Sequence, residues 1–171
     1  MNTAQTTTGE RTDLLSALAK QRHFMRYPTR DLTDEQAAQR TTASELCLGG
    51  LIKHVALTER QWVRFIIEGP SAMSFDGMSP DTWTNMFRML DGETLAGVLE
   101  QYEQVAAETD EIVASLPDLE AAHPLPKAPW FEPGASWSAR RVLLHIVAET
   151  AQHAGHADII RESIDGAKSM G

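Results

Sequence analysis

Apolar and polar positions alternate most regularly near the end of the chain, between residues 138 and 166. This segment contains no proline, begins at Ser138, a good N-cap residue, and ends at Gly166, which suits a left-handed C′ position. It is therefore predicted to form one long helix. At about 100° per residue, one face of this helix carries Val142, Ile146, Glu149, His153, His156 and Ile160.

The rest of the chain shows the same helical periodicity in three further segments. Long helices are predicted near residues 12–27, 44–68 and 94–116. Short helices are expected after Thr33, where TDEQ matches a capping box, and after Ser79, which is followed by proline. Residues 117–137 are rich in proline and glycine and are predicted to form a long ordered loop. Four long helices without a strand pattern predict an all-α fold, an up-down four-helix bundle.

Two of the predicted helices place polar side chains on their apolar faces. His54 interrupts the stripe of the helix at 44–68, and Glu149 and His153 lie one turn apart on the last helix. A carboxylate on a core-facing stripe is costly unless it is paired or binds a metal. Two imidazole nitrogens and one carboxylate oxygen form a ligand set suited to zinc, iron or nickel, with an open position for water or substrate. The pattern therefore predicts a metal site at His54, Glu149 and His153.

Simpler interpretations of these residues remain open. His54 by itself is typical of a hydrogen-bonded histidine in a core. Glu149 by itself fits a helix-surface acid, or an ion-pair partner of Arg140 or Arg141. The metal-site hypothesis is favoured because all three candidate ligands fall on inward stripes of two long helices.

Two other histidines of the last helix compete as ligands. His145 lies about 60° off the stripe on the helical wheel and is ranked lower. His156 lies on the stripe, as a candidate fourth ligand, hydrogen-bond partner of a ligand, or proton-transfer group. Among these roles, catalytic proton transfer is the one we predict for His156.

Composition narrows the classes of partner and compartment. The 171 residues are expected to form a single domain, with residues 1–9 as a frayed tail. The net charge of −9 argues against nucleic acid or an anionic membrane as the main partner. Cys47 is the single cysteine, which excludes an internal disulfide and fits a reducing cytoplasm. No apolar run approaches the ~20 residues of a membrane span. A homodimer is left open.

Two segments resemble the signature segments of a known family. LGGLIKHVALTERQW and RRVLLHIVAETAQHAGHADIIRESIDG are similar to the DinB/YfiT-like four-helix family, and the resemblance extends from about Asp13 to Gly166. It implies a divalent metal held by one residue on the second long helix and two, four apart, on the last, which here are His54, Glu149 and His153. Many members have histidine at the position of Glu149.

The His–Glu–His version of the site is similar to the zinc-binding N-terminal domain of mycothiol-dependent maleylpyruvate isomerase. The present sequence shows no counterpart of that enzyme's C-terminal domain, so its substrate is not carried over. Zinc is the expected metal, with nickel and iron as alternatives.

The resemblance implies a metal-dependent transferase or isomerase that uses a low-molecular-weight thiol, mycothiol or bacillithiol, on a small electrophilic substrate. The excess of arginine over lysine, beside abundant alanine, is typical of a GC-rich genome and favours mycothiol. Two alternatives remain: a metal-dependent hydrolase with a metal-bound hydroxide, and a non-catalytic, stress-related binding protein with a metal site.

Overall fold

Helices account for most of the computed structural model, which describes residues 3–73 and 79–169. Single 3₁₀ turns follow two of the helices, at Tyr27–Thr29 and Gly69–Ala72. Their mainly helical content agrees with the predicted all-α class. The helices are α1 (Thr3–Arg26), α2 (Asp34–Ala38), α3 (Leu48–Glu68), α4 (Pro80–Asn85), α5 (Leu95–Ser115) and α6 (Ala139–Asp165).

Local capping chemistry explains where several helices begin and end. Thr33 forms the predicted capping box with Gln36, in which each side chain accepts a hydrogen bond from the other residue's backbone N–H, at 3.2 and 3.0 Å. Ser138 Oγ accepts from the backbone N–H of Arg141 at 3.2 Å and starts α6. Gly166 ends α6 with φ of 80°, the left-handed conformation that favours glycine.

The apolar core of the described residues consists of two clusters, both of which draw on α1, α3, α5 and α6. Cluster A includes Leu18, Phe65, Val113, Val142 and Ile146. Cluster B includes Met25, Leu51, Val98, Tyr102 and Ile160.

The order of these residues along the chain gives the helix directions. α1 and α6 run from cluster A to cluster B, whereas α3 and α5 both run from cluster B to cluster A. The up-down order predicted from the sequence is therefore wrong for α3 and α5, which follow each other in the same direction. The long connection between them, residues 69–94, is what allows the chain to return to the other end before α5 begins.

A layer of buried polar residues separates the two apolar clusters. Each long helix contributes a buried polar side chain between its cluster A and cluster B residues. These residues are Arg22 in α1, Glu59 in α3, Thr109 in α5 and Thr150 in α6.

Three predicted segments differ from the structure. The first helix extends back to Thr3, so a tail up to residue 9 is wrong for residues 3–9, while residues 1–2 lie outside the described part. No proline interrupts this stretch, which lets the helix continue. The second long helix begins at Leu48 rather than near residue 44, because Cys47 is its extended N-cap, with φ of −135° and ψ of 160°.

The predicted loop at 117–137 contains a short antiparallel hairpin. Strands β1 (Ala122–Pro124) and β2 (Ser136–Ser138) pair with His123 opposite Trp137. Strands of three residues are too short to show a period-two pattern, which is why the sequence gave no signal for them. The hairpin leads directly into α6 and so fixes where that helix begins.

Among the described residues, no helix combines the length and apolar character needed to cross a membrane.

Candidate metal centre

The polar residues singled out from the sequence come together between α3 and α6. His54 projects from α3, and Glu149 and His153 project from successive turns of α6. Their candidate ligand atoms all lie within 4.8 Å of one another, an arrangement that could hold a metal ion. A narrow space of about 170 Å³ is lined by these side chains and by neighbours that include Val55 and Ile146.

The two ring nitrogens of His153 face different partners. Nε2 lies 3.6 Å from Glu149 Oε2, and Nδ1 lies 3.4 Å from Nδ1 of His156. A metal-binding histidine commonly donates its second ring N–H to a neighbouring acceptor, which fixes the tautomer. With Nδ1 protonated and donating to His156, the Nε2 lone pair of His153 is directed to the side where Glu149 lies.

His54 is buried, with 9% of its surface exposed. Thr58 Oγ1 lies 3.5 Å from its Nε2, while the buried Nδ1 has no hydrogen-bond partner in the described part of the chain. Burial lowers the pKa of His54 to about 4, and the neighbouring His153 lowers it further, against an opposing effect of Glu149. His54 is therefore a neutral imidazole at neutral pH, the form that can coordinate a cation.

The unpartnered nitrogen of His54 provides a test of whether these residues fit a metal. A buried polar atom without a partner destabilises a fold by roughly 1–3 kcal/mol. A cation coordinated by this donor set of two imidazoles and a carboxylate would remove such a deficit. The residues present therefore fit a divalent metal.

Glu149 is held as a carboxylate by the histidines around it. Its pKa is lowered mainly by a hydrogen bond from His153, with burial acting in the opposite direction and the nearby histidines adding to the lowering. Its side chain is 32% exposed, so it lies at the edge of the core rather than within it. Arg140 pairs instead with Glu10 and Glu120, and the Arg141 guanidinium lies over the Trp137 ring. The ion-pair alternative for Glu149 is thus not what the structure shows.

His145 lies closer to the candidate centre than its position on the helical wheel suggested. Its Nε2 is 3.9 Å from Glu149 Oε1, yet it is not part of the group whose ligand atoms converge. Its ring contacts Trp62 and Trp137 edge-on, at centroid distances of 4.8 and 5.1 Å. His145 is therefore an aromatic-cluster residue at the border of the centre, and burial lowers its pKa.

Two residues beside the centre were missed in the sequence analysis. The Phe87 ring is stacked on His54, with centroids 4.0 Å apart and planes 23° apart. Glu59 lines the same space as the three candidate ligands and is fully buried, paired with Arg22. Helical spacing could have indicated Glu59, because it lies on a buried face of α3 with Val55 and Ile66. Nothing in the local sequence of Phe87 points to His54.

The fold and site define the class of protein: a mainly helical protein whose neighbouring helices present a His–Glu–His group able to hold a metal ion. The family model described as mycothiol-S-transferase matches residues 13–166, and the chain therefore belongs to this family. The match confirms the resemblance to the DinB/YfiT-like family. No curated protein matches the chain.

Proposed function

We propose that this chain is a metal-dependent S-transferase that joins mycothiol to a small electrophilic molecule. The observation that carries the proposal is the convergence of ligand atoms from His54, Glu149 and His153, in a chain whose family is described as mycothiol-S-transferase. We assign these three residues as the ligands of a divalent cation, with zinc first, and interpret the four long helices as a bundle of the DinB-like kind. The family description favours mycothiol over bacillithiol.

The residues of the site would be ready for coordination at neutral pH. The low pKa of His54, about 4, leaves its imidazole neutral, and the lowered pKa of Glu149 leaves its carboxylate charged. A bound divalent cation supplies positive charge that lowers the pKa of a thiol and favours the nucleophilic thiolate. Val55 and Ile146 line the same space and limit the access of water to it.

His156 is proposed as the proton-transfer group. Its Nδ1 lies 3.4 Å from His153 Nδ1, so it accepts the N–H that orients His153. The residue is only half-buried, which lets its other ring nitrogen exchange protons with the surrounding water. In this role His156 both fixes the tautomer of a ligand and receives a proton released close to the site.

The experiment that tests the proposed function measures metal content and thiol transfer in the same preparation. Protein purified without a His tag is expected to bind about one divalent ion per chain and to conjugate mycothiol to monochlorobimane only when metal is present. His153→Ala is expected to abolish both while the chain stays folded, because apolar helix packing supplies most of the stability. His23→Ala, an exposed histidine on α1, is the matched control and should change neither.

Three outcomes separate the candidate functions. Thiol-dependent conjugation that needs the metal supports the transferase. Hydrolysis of p-nitrophenyl acetate by the metal-loaded protein, without thiol and without conjugation, would favour the hydrolase. Metal binding with neither reaction would leave a binding protein, and no metal binding would overturn the site itself.

A further inference from the structure

Two adjacent glycines in the first turn of α3 allow another part of the chain to lie against the helix. A Cβ on Gly50 would come within 1.9 Å of the backbone oxygen of Phe87 and 2.8 Å of the backbone nitrogen of Arg88. A Cβ on Gly49 would instead meet the side chain of Met89, at 2.1 Å from its sulfur. The backbone at residues 87–88 therefore rests directly on α3 at Gly50, at a separation that only glycine permits.

Polar contacts hold this segment in the same place. Lys53, on the next turn of α3, donates from Nζ to the backbone oxygen of Arg88 at 3.1 Å. The same ammonium group pairs with both carboxylate oxygens of Glu93, at 2.8 and 2.9 Å. Cys47 Sγ lies 3.8 Å from the backbone oxygen of Phe87. Because the ammonium of Lys53 is largely buried, these contacts are less screened by water than surface pairs are.

The position of this segment determines where the Phe87 ring lies. Gly50 and His54 are four residues apart, hence on the same face of α3 in successive turns. Phe87, whose backbone rests on Gly50, stacks its ring on His54 at 4.0 Å. Its ring centroid is also 6.4 Å from that of His153. Phe87 thus covers one face of the His54 imidazole at the candidate centre.

His54 lacks the restraint that orients most metal-binding histidines. Such residues usually donate their second N–H to a carboxylate or a carbonyl. In the described residues, His54 Nε2 has only Thr58 Oγ1 at 3.5 Å, and Nδ1 has no hydrogen-bond partner. The stacked ring is consequently the closest restraint on the tilt of the His54 imidazole that the structure shows.

We propose that Phe87, seated on Gly50, is a positioning residue that sets the orientation of His54 and thereby the affinity and geometry of the metal centre. The inference rests on the proposed function for its metal, and on the glycine contact and the stacked rings for its geometry. Loss of supporting contacts around a metal ligand typically weakens metal binding by about 10- to 100-fold. Loss of the Phe87 ring is expected to fall in this range.

The test uses paired variants of the full chain. Phe87→Leu removes the ring, and Phe24→Leu removes a similarly half-buried ring that is away from the centre. Gly50→Ala forces the Phe87 backbone to move, whereas the neighbouring Gly49→Ala meets only the flexible Met89 side chain. Phe87→Tyr retains the stacked ring and serves as the conservative rescue.

Titration with Co²⁺, followed by its visible absorption, reports both affinity and ligand geometry. Phe87→Leu and Gly50→Ala are expected to bind Co²⁺ about tenfold or more weakly and with a changed spectrum. Phe24→Leu, Gly49→Ala and Phe87→Tyr should match the wild type. If Gly50→Ala does not fold, Phe87→Leu alone decides. An unchanged affinity and spectrum in Phe87→Leu would overturn the inference.

A measurement on the metal-free protein separates this inference from the proposed function. Ring current from a stacked Phe87 shifts the carbon-bound ring protons of His54 upfield in the proton NMR spectrum. Phe87→Leu should remove that shift and Phe24→Leu should retain it. If the wild type binds no Co²⁺, the proposed function fails; an upfield shift that depends on Phe87 then still supports the positioning of His54, and its absence overturns it.

Discussion

Glu149 supplies the negative charge of the candidate centre and is the residue whose removal is most informative. The two imidazoles contribute no charge to a coordinated ion, so the carboxylate alone reduces the net charge of the loaded site. Its neighbours His145 and His153 keep it ionised through their hydrogen bond and charge interactions. Because the side chain is about one-third exposed, its contribution to folding is expected to be small.

Glu149→Leu is predicted to abolish metal binding with little change in stability. The substitution removes one of three ligands, and the ion pair lost with His153 is worth about 0–1 kcal/mol at a partly exposed position. Metal stoichiometry and thermal melting, measured on the same metal-free and metal-treated samples, check both parts. Glu111→Leu, an exposed acid on α5, is the control.

Glu149→His should retain the metal, because histidine occupies this position in many proteins of the family that the sequence resembles. An unchanged metal content in Glu149→Leu would contradict the His–Glu–His site.

At the scale of single elements, α6 depends on how its N-terminus is capped. Ser138 ends β2 and also caps α6, so the hairpin and the helix share one residue. The backbone N–H groups of Ala139 and Arg140 donate to the oxygens of Ala121 and Leu119, both at 3.0 Å. Three of the first backbone N–H groups of α6 are thereby satisfied by the preceding loop and by its own cap.

Ser138→Ala is predicted to lower the free energy of unfolding by about 1 kcal/mol, the usual cost of losing an N-cap oxygen. Metal affinity should not change, because Glu149 and His153 lie several turns away along α6. Urea denaturation and Co²⁺ titration check the two parts. Ser136→Ala, an exposed serine of the same strand, is expected to stay within about 0.5 kcal/mol of the wild type. Equal losses in the two variants would show that the cap is not the cause.

At the scale of the whole molecule, a buried charge network ties three helices together between the two apolar clusters. Arg22 in α1 contacts both carboxylate oxygens of Glu59 in α3, at 2.5 and 3.2 Å. Its third contact is Asp110 in α5, at 2.8 Å. Glu59 is fully buried, so its carboxylate depends on Arg22 for compensation. The network crosses the layer in which the candidate centre lies.

Arg22→Met is predicted to destabilise the protein by about 3–5 kcal/mol, because the Glu59 carboxylate is left buried without its cation. The double variant Arg22→Met/Glu59→Leu should recover most of this loss, since replacement of a whole buried pair by apolar side chains is often close to neutral. Denaturant unfolding of both variants checks the prediction. Arg40→Met is the control: its ion pair with Glu45 is exposed and worth about 0–1 kcal/mol. Equal stability of the single and double variants would exclude the proposed dependence.

The sequence by itself determined the helices and the types of residue at the centre. Helix ends such as Thr33, Ser138 and Gly166 could be predicted because each cap is a contact within a few residues along the chain. Glu149 and His153 could be paired for the same reason, since one turn of α6 joins them. His54 joined them as a polar residue on another apolar stripe, and its role as a ligand stays a prediction.

Tertiary structure decided the features that depend on contacts between distant parts of the chain. The same direction of α3 and α5, the stacking of Phe87 on His54 and the pairing of Arg22 with Glu59 all join residues that are more than 30 positions apart or separated by a long connection. Periodicity shows which face of a helix is buried, but not which other helix covers it or which loop reaches it. The sequence therefore predicted the candidate ligands, whereas only the packing of α1, α3, α5 and α6 showed what surrounds and orients them.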